Sequence, residues 1–169
     1  MTNSETPATA NATASVGTAN PVIRVDHVSR WFGNVVSVSD VTFDIRPGIT
    51  GLLGPNGAGK TTTLECIEGL QRPTAGAISV LGIDVLREPE RVKKLIGVQL
   101  QASAYFDYLT LTEILELFGL FYGRKVSAKE LLERVDLEDK ARSTVEKLSG
   151  GQKQRFAIAA TLVNDPEIV

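Results

Sequence analysis

The chain has 169 residues, 43 % hydrophobic and 22 % charged, with a formal net charge of −2. That is enough for one sizeable core, and the slight acidity gives no reason to expect nucleic acid as a partner. The single cysteine, Cys66, excludes an intrachain disulfide and fits a reducing, cytosolic setting. No run of about 18 apolar residues exists to span a membrane, so any membrane role must come through a partner.

Residues 1–21 are mostly Thr, Ala, Asn and Ser. Such a segment buries too little surface to offset its ordering entropy, so a disordered leader is expected. It lacks the basic start and apolar middle of a signal peptide. Order is expected from Val22. Val22 to Val28 alternates like a half-buried strand with His27 at a surface position, and Val41, Phe43 and Ile45 alternate in a second strand. Between the two stands Trp31-Phe32-Gly33. An aromatic pair there is ordinarily core or edge packing, but Phe32 also offers a flat face to a nucleotide base.

Ile49 to Leu53 reads as a short apolar strand leading into Gly54-Pro55-Asn56-Gly57-Ala58-Gly59-Lys60-Thr61. That octapeptide fits the phosphate-binding pattern G-x-x-x-x-G-K-[ST]. Lys60 to Gly69 should follow as a helix burying Leu64, Ile67 and Leu70, with Cys66 as a small buried hydrophobe. The loop glycines let backbone N–H groups approach phosphate oxygens. Lys60 would reach the β- and γ-phosphates, the Thr61 hydroxyl a Mg²⁺ ion, and Thr62 the α- and β-phosphates. The odds of a chance match are on the order of half a per cent, so a nucleotide site outweighs a fortuitous glycine turn.

A strand is expected from Ala77 to Gly82, then a short helix from Glu88 to Leu95 with Pro89 in its first turn. Ile96 to Leu100 returns to strand and ends at Gln101. The stretch from about 102 to 163 is longer than the roughly 30 residues of a βαβ unit, and it reads as an inserted helical subdomain. Its first helix is expected over Leu111 to Tyr122, with Thr112 and Glu113 as cap and dipole partners. A second should span Ala128 to Val135 behind Ser127, and a shorter one Leu137 to Val145. Tyr105, Phe106 and Tyr108 either fill the core of this subdomain or form a docking surface. Leu148-Ser149-Gly150-Gly151-Gln152 opens a last helix, running to about Val163 and packing Phe156, Ile158, Ala159 and Leu162. Ser149 is its natural N-cap, and the N–H groups of Gly150 and Gly151 are open to an anion.

With both motifs present, residues 22–169 resemble the nucleotide-binding subunit of an ATP-binding-cassette (ABC) transporter. The resemblance implies an α/β fold: a P-loop NTPase core with N-terminal β-strands and the inserted helical subdomain. It makes Gly54 to Thr61 the Walker A loop, Leu148 to Gln152 the signature, Gln101 the Q-loop residue and Phe32 the base-stacking aromatic. ATP and Mg²⁺ are the implied ligands, with Thr61 and Gln101 on the metal. Two subunits would sandwich two ATP molecules head to tail, Walker A of one facing the signature of the other. Gln101 would report nucleotide state to a membrane-spanning permease, which would hold the subunit at the inner, cytoplasmic face of the cell membrane. Glu65, Glu68-Gly69-Leu70 and Gln99-Leu100-Gln101 look most like the wording of drug and antibiotic exporters.

Two departures from the family stand out. The approach to Walker A through Ile49-Thr50-Gly51 is one residue shorter than usual, and Asn164 to Val169 only begins the strand that carries the Walker B Asp. That Asp, the adjacent catalytic Glu, the D-loop and the switch His fall outside the sequence, so the core is read as incomplete at its C-terminus. These residues are expected to bind ATP without turning it over, since hydrolysis also needs an oriented water. Asp165, ahead of Pro166, is read as a turn cap rather than a substitute base. The competing function is a regulatory or non-transport ATP-binding module of the same family, or an inactive fragment.

Overall fold

The computed structural model describes residues 20–99 and 105–169. Most of the leader, residues 1–19, and Gln101 therefore lie outside the described residues. The chain divides into two compact units, Met1–Val92 and Lys93–Val169.

The first unit is built on an antiparallel sheet. Strands β1 (Ile23–Phe32) and β2 (Val35–Ile45) form a hairpin, β3 (Ala75–Val80) pairs with the other side of β1, and the short β4 (Ile83–Asp84) pairs with β3. Register runs from Ile23 opposite Ile45 to Phe32 opposite Val35, and Ile23 also faces Val80. Ile23, Val25 and Val28 of β1, with Ile78 and Val80 of β3, are buried. The period-two alternation breaks between Val25 and Val28, where Asp26 and His27 are both exposed and the register shifts. That bulge resets the strand so that Val28 again faces inward. His27 sits at the bulge with φ 49°, exposed as expected, and its Nδ1 lies 2.7 Å from Asp40 Oδ1. The hydrogen bond to Asp40 and its charge raise the imidazole pKa above the ordinary value.

Helix α1 (Lys60–Ile67) packs on β3, with contacts to β1 and β2. Its buried residues are Thr63, Cys66 and Ile67, whereas Leu64 and Leu70 are exposed. Ile67 and Cys66 are thus buried as expected, Thr63 takes the covered place expected for Leu64, and Leu70 lies past the end of the helix. Thr63 can occupy the covered side because its hydroxyl donates to Gly59 O at 2.9 Å, leaving no unpaired polar group. Cys66 is fully buried, and burial pushes its thiol pKa up. The strand expected at Ile49 to Leu53 does not form, and both end residues are exposed. A strand exists only through its ladder, and among the described residues nothing pairs with this segment.

The second unit is helical. Helix α2 (Pro89–Leu95) crosses the division between the units, and α3 (Leu111–Phe121), α4 (Ala128–Glu133) and α5 (Gly150–Thr161) follow. The helix expected over Leu137 to Val145 is replaced by two 3₁₀ turns, Glu138–Lys140 and Val145–Lys147. Over its described part, residues 96–99, the strand expected to Leu100 reduces to an isolated parallel bridge between Ile96 and Ile168, with Gly97 N donating to Ile168 O at 2.7 Å.

One apolar core joins the helices: Leu111, Ile114 and Leu115 of α3, Leu132 of α4, and Phe156 and Ala159 of α5 are all fully buried. In α5 the packed face is Phe156 and Ala159, continued past the helix by Val163 and by Leu162, which packs against the same core as expected, while Ile158, expected inside, is exposed. The aromatic cluster after Gln101 is split. Tyr105 packs edge-on to Phe156 with ring centroids 5.1 Å apart, whereas Phe106 and Tyr108 are exposed.

The caps explain where these helices start. Ser127 accepts from Glu130 N at 3.3 Å, as the sequence suggests. At α3 the cap is Thr110, not Thr112: Thr110 Oγ1 accepts from Glu113 N at 3.3 Å, and the Glu113 carboxylate accepts from Thr110 N at 2.8 Å. The Thr112 hydroxyl instead donates to Ala141 O at 3.1 Å. The backbone and hydroxyl donors of Thr110 hold the Glu113 carboxyl below the ordinary carboxylate range. A lowered folded-state pKa adds stability above the ordinary value, about 4.3, and that stability is lost as pH falls through the folded value. Thr110→Val, which removes the hydroxyl, should therefore lower the urea midpoint at pH 7. The gap to the parent should narrow as pH falls below the ordinary carboxylate range and Glu113 takes up its proton.

Candidate nucleotide-binding site

The glycine-rich loop and the start of α1 form the most developed site in the first unit. Gly57 and Gly59 both adopt left-handed backbone conformations, φ 82° and 79°. Gly59 also lies against β2: a Cβ there would stand 2.4 Å from Ser37 O and 3.0 Å from Val38 Cγ2. The close approach brings the first turn of the helix under the hairpin. Ser37 and Thr62 hydroxyls meet at 2.8 Å and tie the two elements together. Thr63 N donates to Gly59 O at 2.8 Å, closing the first helical bond.

Helix α1 begins without a side-chain cap. Its first N–H groups therefore remain available to an outside acceptor. Lys60 folds back over the loop, and its Nζ donates to Gly54 O at 2.9 Å and Pro55 O at 2.7 Å. Among the described residues it has no acidic partner, so its charge is met only by carbonyl dipoles and stays open to an anion. Ala58 N donates to Pro55 O at 3.3 Å and rounds the turn, with Asn56 exposed at its tip. Thr61 is exposed beside this cluster.

These residues fit a nucleoside triphosphate: a glycine-rich turn, a cation with no acidic partner among the described residues, and a helix start without a side-chain cap or an acid in its first turn. They also fit Mg²⁺, which takes one or two protein oxygens and keeps water and phosphate for the remainder. Thr61 can supply one such oxygen. Among the described residues no cluster of three His, Cys, Asp or Glu residues offers an alternative metal site.

Phe32 ends β1 at the turn of the hairpin and is partly exposed. The Arg30 guanidinium lies 4.4 Å over its ring. Ser37 and Arg30 were not singled out from sequence. Period two places Arg30 on the same face as Phe32, and that spacing is the signal for the pair. Nothing in the pattern around Ser37 shows that its carbonyl limits position 59.

In the second unit the helix start at Ser149 has a different build. Ser149 Oγ accepts from Gln152 N at 3.3 Å, and Gln152 Oε1 accepts from Ser149 N at 2.9 Å, a complete capping box. Gly150 and Gly151 supply the first N–H groups of α5, and a Cβ at either would meet nothing within 4 Å. Leu148 is buried in the helical core, so it anchors this start rather than facing a ligand. Asp165 caps no helix. It has φ 53°, and its carboxylate pairs with Arg124 Nη2 at 3.2 Å.

Residues 38–169 match the family described as ABC transporter. The chain belongs to the ABC transporter family. It is 40 % identical over 157 residues to the Nod factor export ATP-binding protein I of Burkholderia lata, covering 88 % of this chain and 52 % of that protein. It is also 40 % identical to the daunorubicin resistance ATP-binding protein DrrA3 of Streptomyces coeruleorubidus, covering 89 % and 50 %. The chain thus spans about half the length of the curated relatives it matches. Among solved structures, the ATP-binding subunit of an ABC transporter matches with TM-score 0.69 at 28 % identity, over 86 % of this chain and 63 % of that one. The dimeric bacterial ABC transporter cassette MJ0796 matches with TM-score 0.69 at 29 % identity, over 85 % and 70 %. The fold is accordingly that part of the P-loop NTPase cassette which carries the antiparallel sheet, the phosphate-binding loop and the helical unit.

The two glycines of the ABC loop separate strain from collision. Gly57→Ala adds only the left-handed backbone cost, about 1–2 kcal/mol, because no atom lies near its Cβ. Gly59→Ala carries the same cost plus a clash with Ser37 O, so thermal unfolding should show a clearly larger loss of stability for it than for Gly57→Ala.

Proposed function

We propose that the protein is the ATP-binding subunit of an ABC exporter, coupling ATP binding and hydrolysis to transport by a membrane-spanning permease. The observation that carries this reading is the Lys60 ammonium, held by the Gly54 and Pro55 carbonyls over the uncapped start of α1. Relatives named for Nod factor export and daunorubicin resistance support export as the direction.

In this reading the backbone of Gly54, Pro55, Asn56, Gly57, Ala58 and Gly59 cradles the phosphates, and Lys60 neutralises their charge. Thr62 keeps a role there although its hydroxyl meets Ser37. If Ser37 donates to it, the Thr62 proton is free for a phosphate oxygen. Thr61 and Gln101 hold Mg²⁺, and Phe32 carries the base. Mg²⁺, when bound, would screen the charge of the β- and γ-phosphates.

The α5 start at Ser149, with Gly150, Gly151 and Gln152 set by Leu148, faces ATP held by a second nucleotide-binding subunit. A helix terminus contributes roughly 0.3–1 kcal/mol to an anion, up to about 2 when partly buried. Loss of the γ-phosphate would therefore weaken closure between subunits, and the permease would read that change. The subunit works as a peripheral protein at the cytoplasmic face of the membrane; among the described residues no helix is long and apolar enough to cross one.

Two variants test the two halves of this proposal. Lys60→Ala should abolish uptake of labelled ATP in equilibrium dialysis, and uptake equal to the parent would overturn the phosphate site. Gly151→Asp should leave α5 intact, since an acid in the first turn favours the helix and its Cβ meets nothing. It should retain ATP uptake but lose ATP-dependent dimerisation in analytical ultracentrifugation, because its carboxylate repels the facing phosphate.

A further inference from the structure

We propose that Arg30 is a positioning residue that fixes the Phe32 ring as a base platform and couples it to the phosphate-binding helix. The inference rests on the reading of Phe32 as the base-stacking residue. Three contacts form a continuous chain within the first unit. The Arg30 guanidinium lies 4.4 Å from the Phe32 ring centroid, a cation–π stack. Arg30 Nε donates to Gln71 Oε1 at 3.2 Å. Gln71 Nε2 donates to Glu65 Oε2 at 2.7 Å, and Glu65 belongs to α1.

Each contact has a distinct consequence. The guanidinium occupies one face of the ring, so a base stacks on the opposite face. A planar, permanently charged group holds that geometry where an ammonium would wander. The cation draws π-density from the ring, which favours an electron-rich purine on the free side. Gln71 and Glu65 hold Arg30 from the side and link its position to the helix that begins at Lys60. Phe32 ends a strand at a hairpin turn and is partly exposed, so without this brace its ring would have little to fix it.

The test separates the base from the phosphates. Dissociation constants of the 169-residue chain are measured by calorimetry for MgATP and for inorganic tripolyphosphate, which engages the phosphate site alone. Arg30→Met should raise the MgATP constant about three- to tenfold and leave that of tripolyphosphate unchanged, which also shows the variant folded. Arg30→Lys, which keeps a cation over the ring, should recover part of the loss. Gln71→Leu removes the anchor but not the charge, and should give a smaller increase for MgATP alone.

Equal weakening of both ligands by Arg30→Met, or no change in either, would overturn the proposal. Phe32→Ala distinguishes the two levels of failure. If it weakens MgATP while Arg30→Met does not, the base platform stands and the brace falls. If Phe32→Ala has no effect, the platform reading falls and takes the brace with it.

Discussion

A single backbone-to-backbone approach organises the first unit. Position 59 has no side chain, and the site where a Cβ would stand is 2.4 Å from the Ser37 carbonyl oxygen. Because that space is free, the first turn of α1 can lie directly under β2. The approach sets the Ser37–Thr62 pair, and the helix entry it fixes sits with the Thr63 bonds to Gly59 O. Thr63 can then face the sheet along with Cys66 and Ile67. The same hairpin that supplies Ser37 also carries Phe32, so the element that stops the helix start presents the aromatic ring. The glycine-rich loop and the Phe32 ring are thereby referenced to one pair of strands.

The parts of this arrangement that were legible in sequence are those that follow from local chemistry. Ser127 and Ser149 were readable as caps because a hydroxyl ahead of an apolar-periodic run satisfies nearby N–H groups whatever the tertiary context. The loop from Gly54 to Lys60 was readable because glycine and lysine at that spacing have few other uses. What failed was set by neighbours distant in sequence. Thr110 was passed over for Thr112, since both precede Glu113 and only the packing of α3 decides which hydroxyl turns back. The face of α1 was misjudged because Leu64 is more apolar than Thr63, yet the bond from Thr63 to Gly59 O lets the polar residue occupy the covered side. The apolar run from Ile49 to Leu53 suggested a strand, but an apolar run cannot supply the partner that a ladder needs. Arg30 carried only the period-two signal of sharing a face with Phe32, and Gln71 none, because an amide relay has no periodic signature.

In the helical unit the start of α5 is anchored by buried and hydrogen-bonded side chains. Leu148 precedes the cap residue and is buried among α3, α4 and α5 side chains. Arg155, within α5, donates from Nη1 to the carbonyls of Val135 and Asp136 at 3.0 and 3.2 Å, beyond the end of α4. Tyr105 adds its edge to Phe156. None of these contacts involves Gly150 or Gly151. Those two residues themselves touch nothing where a side chain would be.

The charges at the helix starts divide along the same line. Helices α2, α3 and α4 each carry an acid in the first turn, Glu90, Glu113 and Glu130. An acid there compensates the positive end of the helix dipole and stabilises the fold directly. Helices α1 and α5 have none. At α1 the sequence goes further and sets Lys60 as the first helical residue, a cation beside a positive end, which is unfavourable for the helix alone. The neighbouring carbonyls of Gly54 and Pro55 offset part of that cost without cancelling the charge. At α5 the Ser149–Gln152 box satisfies two donors and is neutral, so the helix is capped without losing its attraction for anions. A chain selected for stability alone would place a carboxylate at both starts, as it does at the other three helices. Left without an acid, both starts keep the positive end of the helix dipole uncompensated.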